Sequence, residues 1–515
     1  MLSQTQQQKN GKNGKTESTE KLELAIKSVP SGTAVFDWTV PKEWRIREAY
    51  ISNDAGERIV DFKNNNLHVM GYSTPVDKWC SFDELKSFIY TQPDQPEVIP
   101  YVTSYYKERF GFCLSQQQLS NIEKEDKEYT EKTGKPRQYH MFIDSELFDG
   151  VLNYGEIIIP ATRPAPVAKT TTNSTAEIVT AAGADTATNS VSDSVSDHAA
   201  ESGNTPNAHG VDTHSVDTHS AETDRGQDSG QDSDQEIFFS TYVCHPSMAN
   251  NECSGPSLAV ALIKYVAAMP NRRYSYRFIF IPETIGSLTY LATEGHLSQM
   301  KERVIAGFNL SCVGDDRAYS IVESRYGDTL ADRVLRNVLK FHTATAPNTA
   351  LTGKTCGQDN CGGYMRYSFL QRGSDERQYN APGVDLPVVC FCRSKFGEYP
   401  EYHTSADDMR LVSPEGFQGS FDVMTEVITA LEGNKKYKTA VLGEPQLGKR
   451  GLYPTVSKKG SYGEVKAMTD LIAYSDGKMD LIEISDRIGV DVGKLIEIAE
   501  KLSEHGLLTS NEVVS

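Results

Sequence analysis

Long apolar runs are missing from this chain: none reaches the roughly 18 residues a membrane-spanning helix needs, so the sequence predicts no such span. Cysteine is sparse. Nine residues in 515, an odd number, argue against a disulfide framework in a chain this long. The two close pairs, Cys356/Cys361 and Cys390/Cys392, lack zinc-knuckle spacing and have no matching second pair. Basic residues are outnumbered, 52 Lys and Arg against 70 Asp and Glu, for a net charge of −18. Nucleic acid and anionic membranes repel such a chain unless its charge is segregated. The opening MLSQTQQQKNGKNGKTESTEK has no apolar stretch of the kind a secretory signal carries, which points to a cytoplasmic protein.

What remains is ample for folding. Hydrophobic residues make up 38%, and the length predicts roughly two to four domains. Residues 1–20 read as a disordered leader by composition. Residues 41–165 read as β-rich, with short runs such as AYISN, RIVDF, QYHMFIDS and YGEIIIP between turn residues. Residues 166–235 are Ala, Thr, Ser, Asp and Gly with VDTHS repeated in tandem. This composition buries too little apolar surface to order itself, so it predicts an acidic, disordered insertion whose histidines are repeat residues.

From Ile237 strands and helices alternate. IFFSTYV, YRFIFIP, VIAGFNL and DLPVVCFC are apolar runs of strand length, and GPSLAVALIKYVAAM and DTLADRVLRNVLKFH have helical spacing. The alternation predicts an α/β domain, a mostly parallel sheet flanked by helices, over residues 21–40 and 236–435. Ligands of such sheets bind beyond the carboxyl ends of the strands. Residues 440–515 carry helical periodicity followed by Gly-Leu-Leu, the pattern of a winged helix.

Polar clusters follow the strands. His245 comes directly after IFFSTYV, and Asn250-Asn251-Glu252 follows in the same loop, so an imidazole and a carboxylate share one turn, as metal ligation needs. Glu283 comes after YRFIFI, where it could take a proton from a metal-bound water. Asp315, Asp316 and Arg317 follow VIAGF. Tyr402 and His403 sit in EYPEYHTSADD, whose hydroxyls and carboxylates can orient the imidazole.

The ordered set CHPSMANNECSG, PETIG and YHTSADD resembles the co-catalytic zinc aminopeptidases of the M28 class. The runs VPSGTAVFDWTVPKEWRIREAYI, PDQPEVIPYVTSYYKERFGFCLS and GSDERQY are similar to one branch, DUF4910 with an inserted DUF2172. The resemblance implies a discontinuous catalytic domain with residues 41–165 inserted over the site, and a C-terminal winged helix. It implies His245 and His403 as histidine ligands and Glu283 as general base. The bridging Asp of the class falls on Asn251, and two further carboxylate ligands fall on Thr284 and Ser311. A single zinc, on His245, His403 and Glu252 with Asp315 as second choice, is therefore the expectation. Asp375, Glu376, Arg377 and Tyr402 are the expected substrate contacts.

The expected activity is hydrolysis of a peptide bond or of an amide on a small molecule, a sugar amide included. The competing reading is an inactive aminopeptidase fold acting as a regulator or adaptor through its winged helix and inserted domain. The tail carries more acids than bases, which speaks against nucleic acid and for a packing or dimerisation module, with homo-oligomers as one outcome.

Overall fold

A computed structural model describes residues 22–162, 235–245, 247–345, 359–360, 363–453 and 462–512. The leader, nearly all of the acidic insertion and Cys356/Cys361 lie outside them. Among the described residues no helix is long and apolar enough to cross a membrane.

In chain order the strands used below are β1 (Ala25–Pro30), β2 (Glu43–Asn53), β3 (Arg58–Asp61), β4 (Val76–Ser81), β5 (Gln138–Phe148), β6 (Val151–Ile159), β7 (Glu236–Tyr242), β8 (Ser275–Ile281), β9 (Val304–Leu310), β10 (Ser320–Val322), β11 (Met365–Tyr367) and β12 (Val388–Cys392). The helices are α1 (Gln116–Thr133), α2 (Ser254–Ala268), α3 (Ile285–Ala292), α4 (Leu330–Thr345) and α5 (Pro414–Gly433).

A nine-stranded sheet runs β1-β6-β8-β7-β9-β12-β10-β11, closed by the short strand Asp359–Asn360. Its centre, β8-β7-β9-β12, is parallel. Antiparallel pairs join β1 to β6, β6 to β8 and β10 to β12, so the sheet is mixed around a parallel core. Every residue of β7 is buried, as a strand covered on both faces must be. Leu258, Ala259, Leu262, Ile263 and Val266 of α2 join Phe239, Phe308, Val423 and Val427 in one core. Each side chain of this size contributes about 1.5–3 kcal/mol on full burial.

Parallel strands all exit at one edge. The loops after Tyr242, Ile281, Leu310 and Cys392 therefore meet there. Gly255 sets how closely they meet, because a Cβ at that position would lie 2.2 Å from Thr241 Oγ1 and 2.6 Å from the Leu310 carbonyl oxygen. The start of α2 can press onto β7 and β9 only with glycine there.

The β-rich segment forms its own antiparallel sheet, β3-β2-β5-β4. Ala49, Ile51, Met141 and Ile143 fill its core with Leu85 and Phe112. The sequence assigns residues up to 165 to this insert. In the structure β6 lies instead in the large sheet, between β1 and β8. Its inward residues, Ile157 and Ile159, are packed into the main core.

The C-terminal unit starts at Lys435 rather than at 440. Its strands Lys435–Thr439, Asp476–Asp480 and Leu508–Glu512 form a three-stranded sheet with helices Tyr462–Tyr474, Leu481–Ile488 and Val492–Glu504. It is welded to the main domain. Val492, Leu495 and Leu502 share the main core. Asn337 Nδ2 donates to Ser485 Oγ at 2.8 Å, and Arg333 pairs with Asp480 at 2.9 Å.

Candidate metal centre

The loop after β7 makes one π-helical turn, Ala249–Cys253, before α2 begins. Such turns recur at functional sites. Asp407 fixes this one, accepting from the Asn250 N–H at 2.6 Å and the Asn251 N–H at 3.1 Å. The Tyr399 hydroxyl donates to the same carboxylate at 3.1 Å.

Glu252 is thereby turned back over the start of its own loop. The Cys244 N–H donates to Glu252 Oε2 at 2.8 Å. Oε1 lies 3.0 Å from His245 Nε2, out of line for a hydrogen bond, and is buried without a partner. Asn251 Nδ2 donates to His245 Nε2 at 3.2 Å, which leaves Nδ1 buried and unpartnered. Unmade hydrogen bonds of buried groups cost about 1–3 kcal/mol each, so this pair invites a ligand.

His403 stands beside it. The two imidazole centroids are 5.1 Å apart at 84°. Tyr402 stacks on His403 at 3.9 Å, and Tyr101 of the inserted domain stacks on His245 at 4.1 Å. Burial, with the His245 ring adding to it, holds the His403 imidazole down at about 3, neutral at physiological pH. The insert grips the His403 loop through its backbone. The Tyr101 N–H donates to the His403 carbonyl at 2.8 Å, and the Ser405 N–H to the Ile99 carbonyl at 2.9 Å. Among the described residues, the cluster whose donor atoms all lie within 4.8 Å is Cys244, His245 and Glu252; His403 is outside it. Sequence reasoning gave no role to Cys244 or Tyr101. For Cys244 the signal was its place directly before His245.

Asp315 does not reach this cluster. It is fully buried and spends its oxygens on Asn250 Nδ2 at 3.0 Å, Ser394 Oγ at 2.7 Å and the N–H groups of Ser394 and Arg317 at 3.0 and 3.1 Å. It is a brace for the β9 loop, not a free donor, which corrects its expected place as second-choice ligand.

Glu283 ends β8. Arg377 Nη2 donates to its Oε1 at 3.1 Å, and the Thr284 hydroxyl does so at 3.2 Å. Burial raises the Glu283 carboxyl above the ordinary value, with Arg377 pulling the other way. Thr284 has φ 66° and ψ −72°, and its N–H donates to Asp375 Oδ1 at 2.8 Å. Asp375 and Glu376 are wholly buried. Glu376 serves the N–H groups of Gly373 and Ser374 at 2.8 and 3.2 Å. Both acids, expected as substrate contacts, are closed off from solvent, and Asp375 Oδ2 is buried without a hydrogen-bond partner. The side chain of Arg377 is 37% exposed.

Strain gathers at these loops. Ser247, Thr284, Cys312 and His403 all have positive φ, between 53° and 70°, a costly conformation for such residues that concentrates at functional sites.

Asn251 and Ser311, two of the three positions where the resemblance expects carboxylates, share a neutral network. The Tyr242 hydroxyl donates to Asn251 Oδ1 at 2.7 Å and lies 2.6 Å from Ser311 Oγ. A second cation has no charged oxygen to meet there.

The sheet and the loops at its carboxyl edge define an aminopeptidase-like protein. Residues 227–434 match the domain of unknown function DUF4910, residues 43–133 the domain of unknown function DUF2172, and residues 435–510 a winged helix-turn-helix. A Clostridium acetobutylicum protein named "Putative polysaccharide biosynthesis protein with aminopeptidase-like domain" is 34% identical over 490 residues, covering 95% of this chain and 88% of its own length. A crystal structure of a "putative peptidase" from Clostridium acetobutylicum superposes with a TM-score of 0.69 at 32% identity, over 95% of this chain and 88% of that one. A peptidase M28 precursor from Shewanella amazonensis aligns over 79% of this chain and 83% of its own, with TM-score 0.43 and 9% identity. The chain belongs to the aminopeptidase-like family of the Clostridium protein.

Proposed function

We propose that this chain is a zinc-dependent hydrolase of an amide or peptide bond, using one ion held at His245 and Glu252. The observation that carries the reading is the buried, unpartnered Glu252 Oε1 beside His245, with a glutamate at the end of the neighbouring strand. When bound, zinc supplies Lewis-acid polarisation of the scissile carbonyl and of the attacking water. Glu283 accepts the proton of that water and returns it to the leaving nitrogen. Its raised affinity for protons suits the second transfer, while Arg377 keeps the carboxylate oriented for the first. The exposed part of Arg377 meets an anionic group of the substrate. Tyr101 and Tyr402 shield the two imidazoles from water.

The relative's name refers to polysaccharide biosynthesis, so sugar-borne amides belong in the substrate screen beside aminoacyl amides. The test is hydrolysis of such a panel by zinc-loaded protein, with Glu283→Gln as control. Turnover by the wild type alone is expected; no turnover by a zinc-loaded wild type on any member overturns the assignment.

The neutral Asn251–Tyr242–Ser311 network favours a second reading, a retired peptidase fold that regulates or scaffolds. In that reading the winged helix is a packing module. The outer face of its last helix carries Lys494, Glu497, Glu500, Lys501 and Glu504, a sign of charge that phosphate repels.

A further inference from the structure

We infer that Cys244, rather than His403, supplies the third ligand of the metal site, making it a Cys-His-Glu centre. The inference rests on the proposed metal site and concerns its chemistry. All three donors come from the one loop between β7 and α2, and their ligating atoms lie within 4.8 Å of one another. Glu252 is pinned in that position by the Cys244 N–H itself. Its other oxygen, 3.0 Å from His245 Nε2, is buried without a hydrogen-bond partner. Cys244 is a free cysteine on an exposed stretch of the loop, and burial beside the Glu252 and Glu283 carboxylates raises its thiol pKa. His403 is packed differently. Its face is covered by Tyr402, its edge contacts come from Tyr101 and His245, and it hangs on a loop held by the inserted domain. It is a wall of the site.

Three protein donors leave the fourth tetrahedral position open. A thiolate donor shifts the preference towards zinc and away from magnesium or manganese. The thiol proton leaves to solvent as the metal–sulfur bond forms.

Cobalt(II), a spectroscopic stand-in for zinc, tests this with the full-length protein. Sulfur ligation gives an intense near-ultraviolet thiolate-to-cobalt band that nitrogen and oxygen ligands do not. We expect one equivalent of cobalt with that band, lost entirely in Cys244→Ser and kept in Cys253→Ser and His403→Ala. Cobalt bound without the band, or a band that survives Cys244→Ser, overturns the cysteine assignment and leaves the metal reading standing. A wild type that takes up neither cobalt nor zinc overturns both.

Discussion

The loops after β7 and β9 begin from the same material, polar residues at the end of a buried strand, and finish in opposite states. After β9 the carboxylate and the hydroxyl are spoken for. Asp315 accepts from Asn250, Ser394 and Arg317, and Ser311 closes a neutral contact with Tyr242. After β7 one carboxylate oxygen and one imidazole nitrogen are buried without a hydrogen-bond partner. The carboxylates ranked first and second in sequence thus differ in what is left over. A satisfied acid holds its loop together, and an unsatisfied one can hold a ligand.

The comparison can be broken in several places. The largest effect is expected at the chemistry. Glu283→Gln keeps the shape and removes the base, so kcat on a hydrolysed amide should fall by about 10²–10⁴ at unchanged metal content. A parallel loss of metal would move Glu283 into the ligand set.

Next comes the brace. Asp315→Ala strands several buried donors, each bond to a charged group being worth about 1.5–3 kcal/mol. Urea unfolding should show a loss of about 3 kcal/mol or more. Glu252→Gln keeps an acceptor for the Cys244 N–H, so its stability should change by under about 1 kcal/mol while metal binding is lost. Equal destabilisation by the two variants would erase the distinction between the loops.

A smaller effect follows from Asp375. Burial, with the Glu283 carboxylate adding to it, pushes its carboxyl from 3.8 up to about 8. A proton held more tightly in the folded chain contributes stability that is full below the unfolded value and lost as pH rises through the folded one. The unfolding temperature should therefore fall as pH rises across that window, and Asp375→Asn, neutral throughout, should flatten the slope. The smallest effect is Tyr242→Phe, which deletes the hydroxyl between Asn251 and Ser311 at a cost of about 1 kcal/mol and leaves metal uptake intact.

Much of the fold was legible because burial on both faces writes itself into sequence. IFFSTYV, YRFIFIP and VIAGFNL are apolar runs, and they became the parallel centre of the sheet. YGEIIIP was harder. A strand with one partly solvated face reads the same in an insert or at a sheet's margin, and β6 went to the large sheet. In the site, His245 and Glu252 were readable together because eight residues of one loop bind them into a neighbourhood, the span from Cys244 to Glu252 closed by a single hydrogen bond. Asp315 was not, because its fate is decided by Ser394 and Asn250, far off in sequence. Asp375 and Glu376 had exposed-looking neighbours in GSDERQY, yet the turn folds both inward onto backbone N–H groups.

The most direct test is the metal content of the purified full-length protein after zinc loading and exhaustive buffer exchange, measured by mass spectrometry beside His245→Ala and Glu252→Gln. The account predicts about one zinc per chain, the three-donor catalytic stoichiometry, and a loss in both variants. A wild type free of zinc, or zinc retained by both variants, would contradict it.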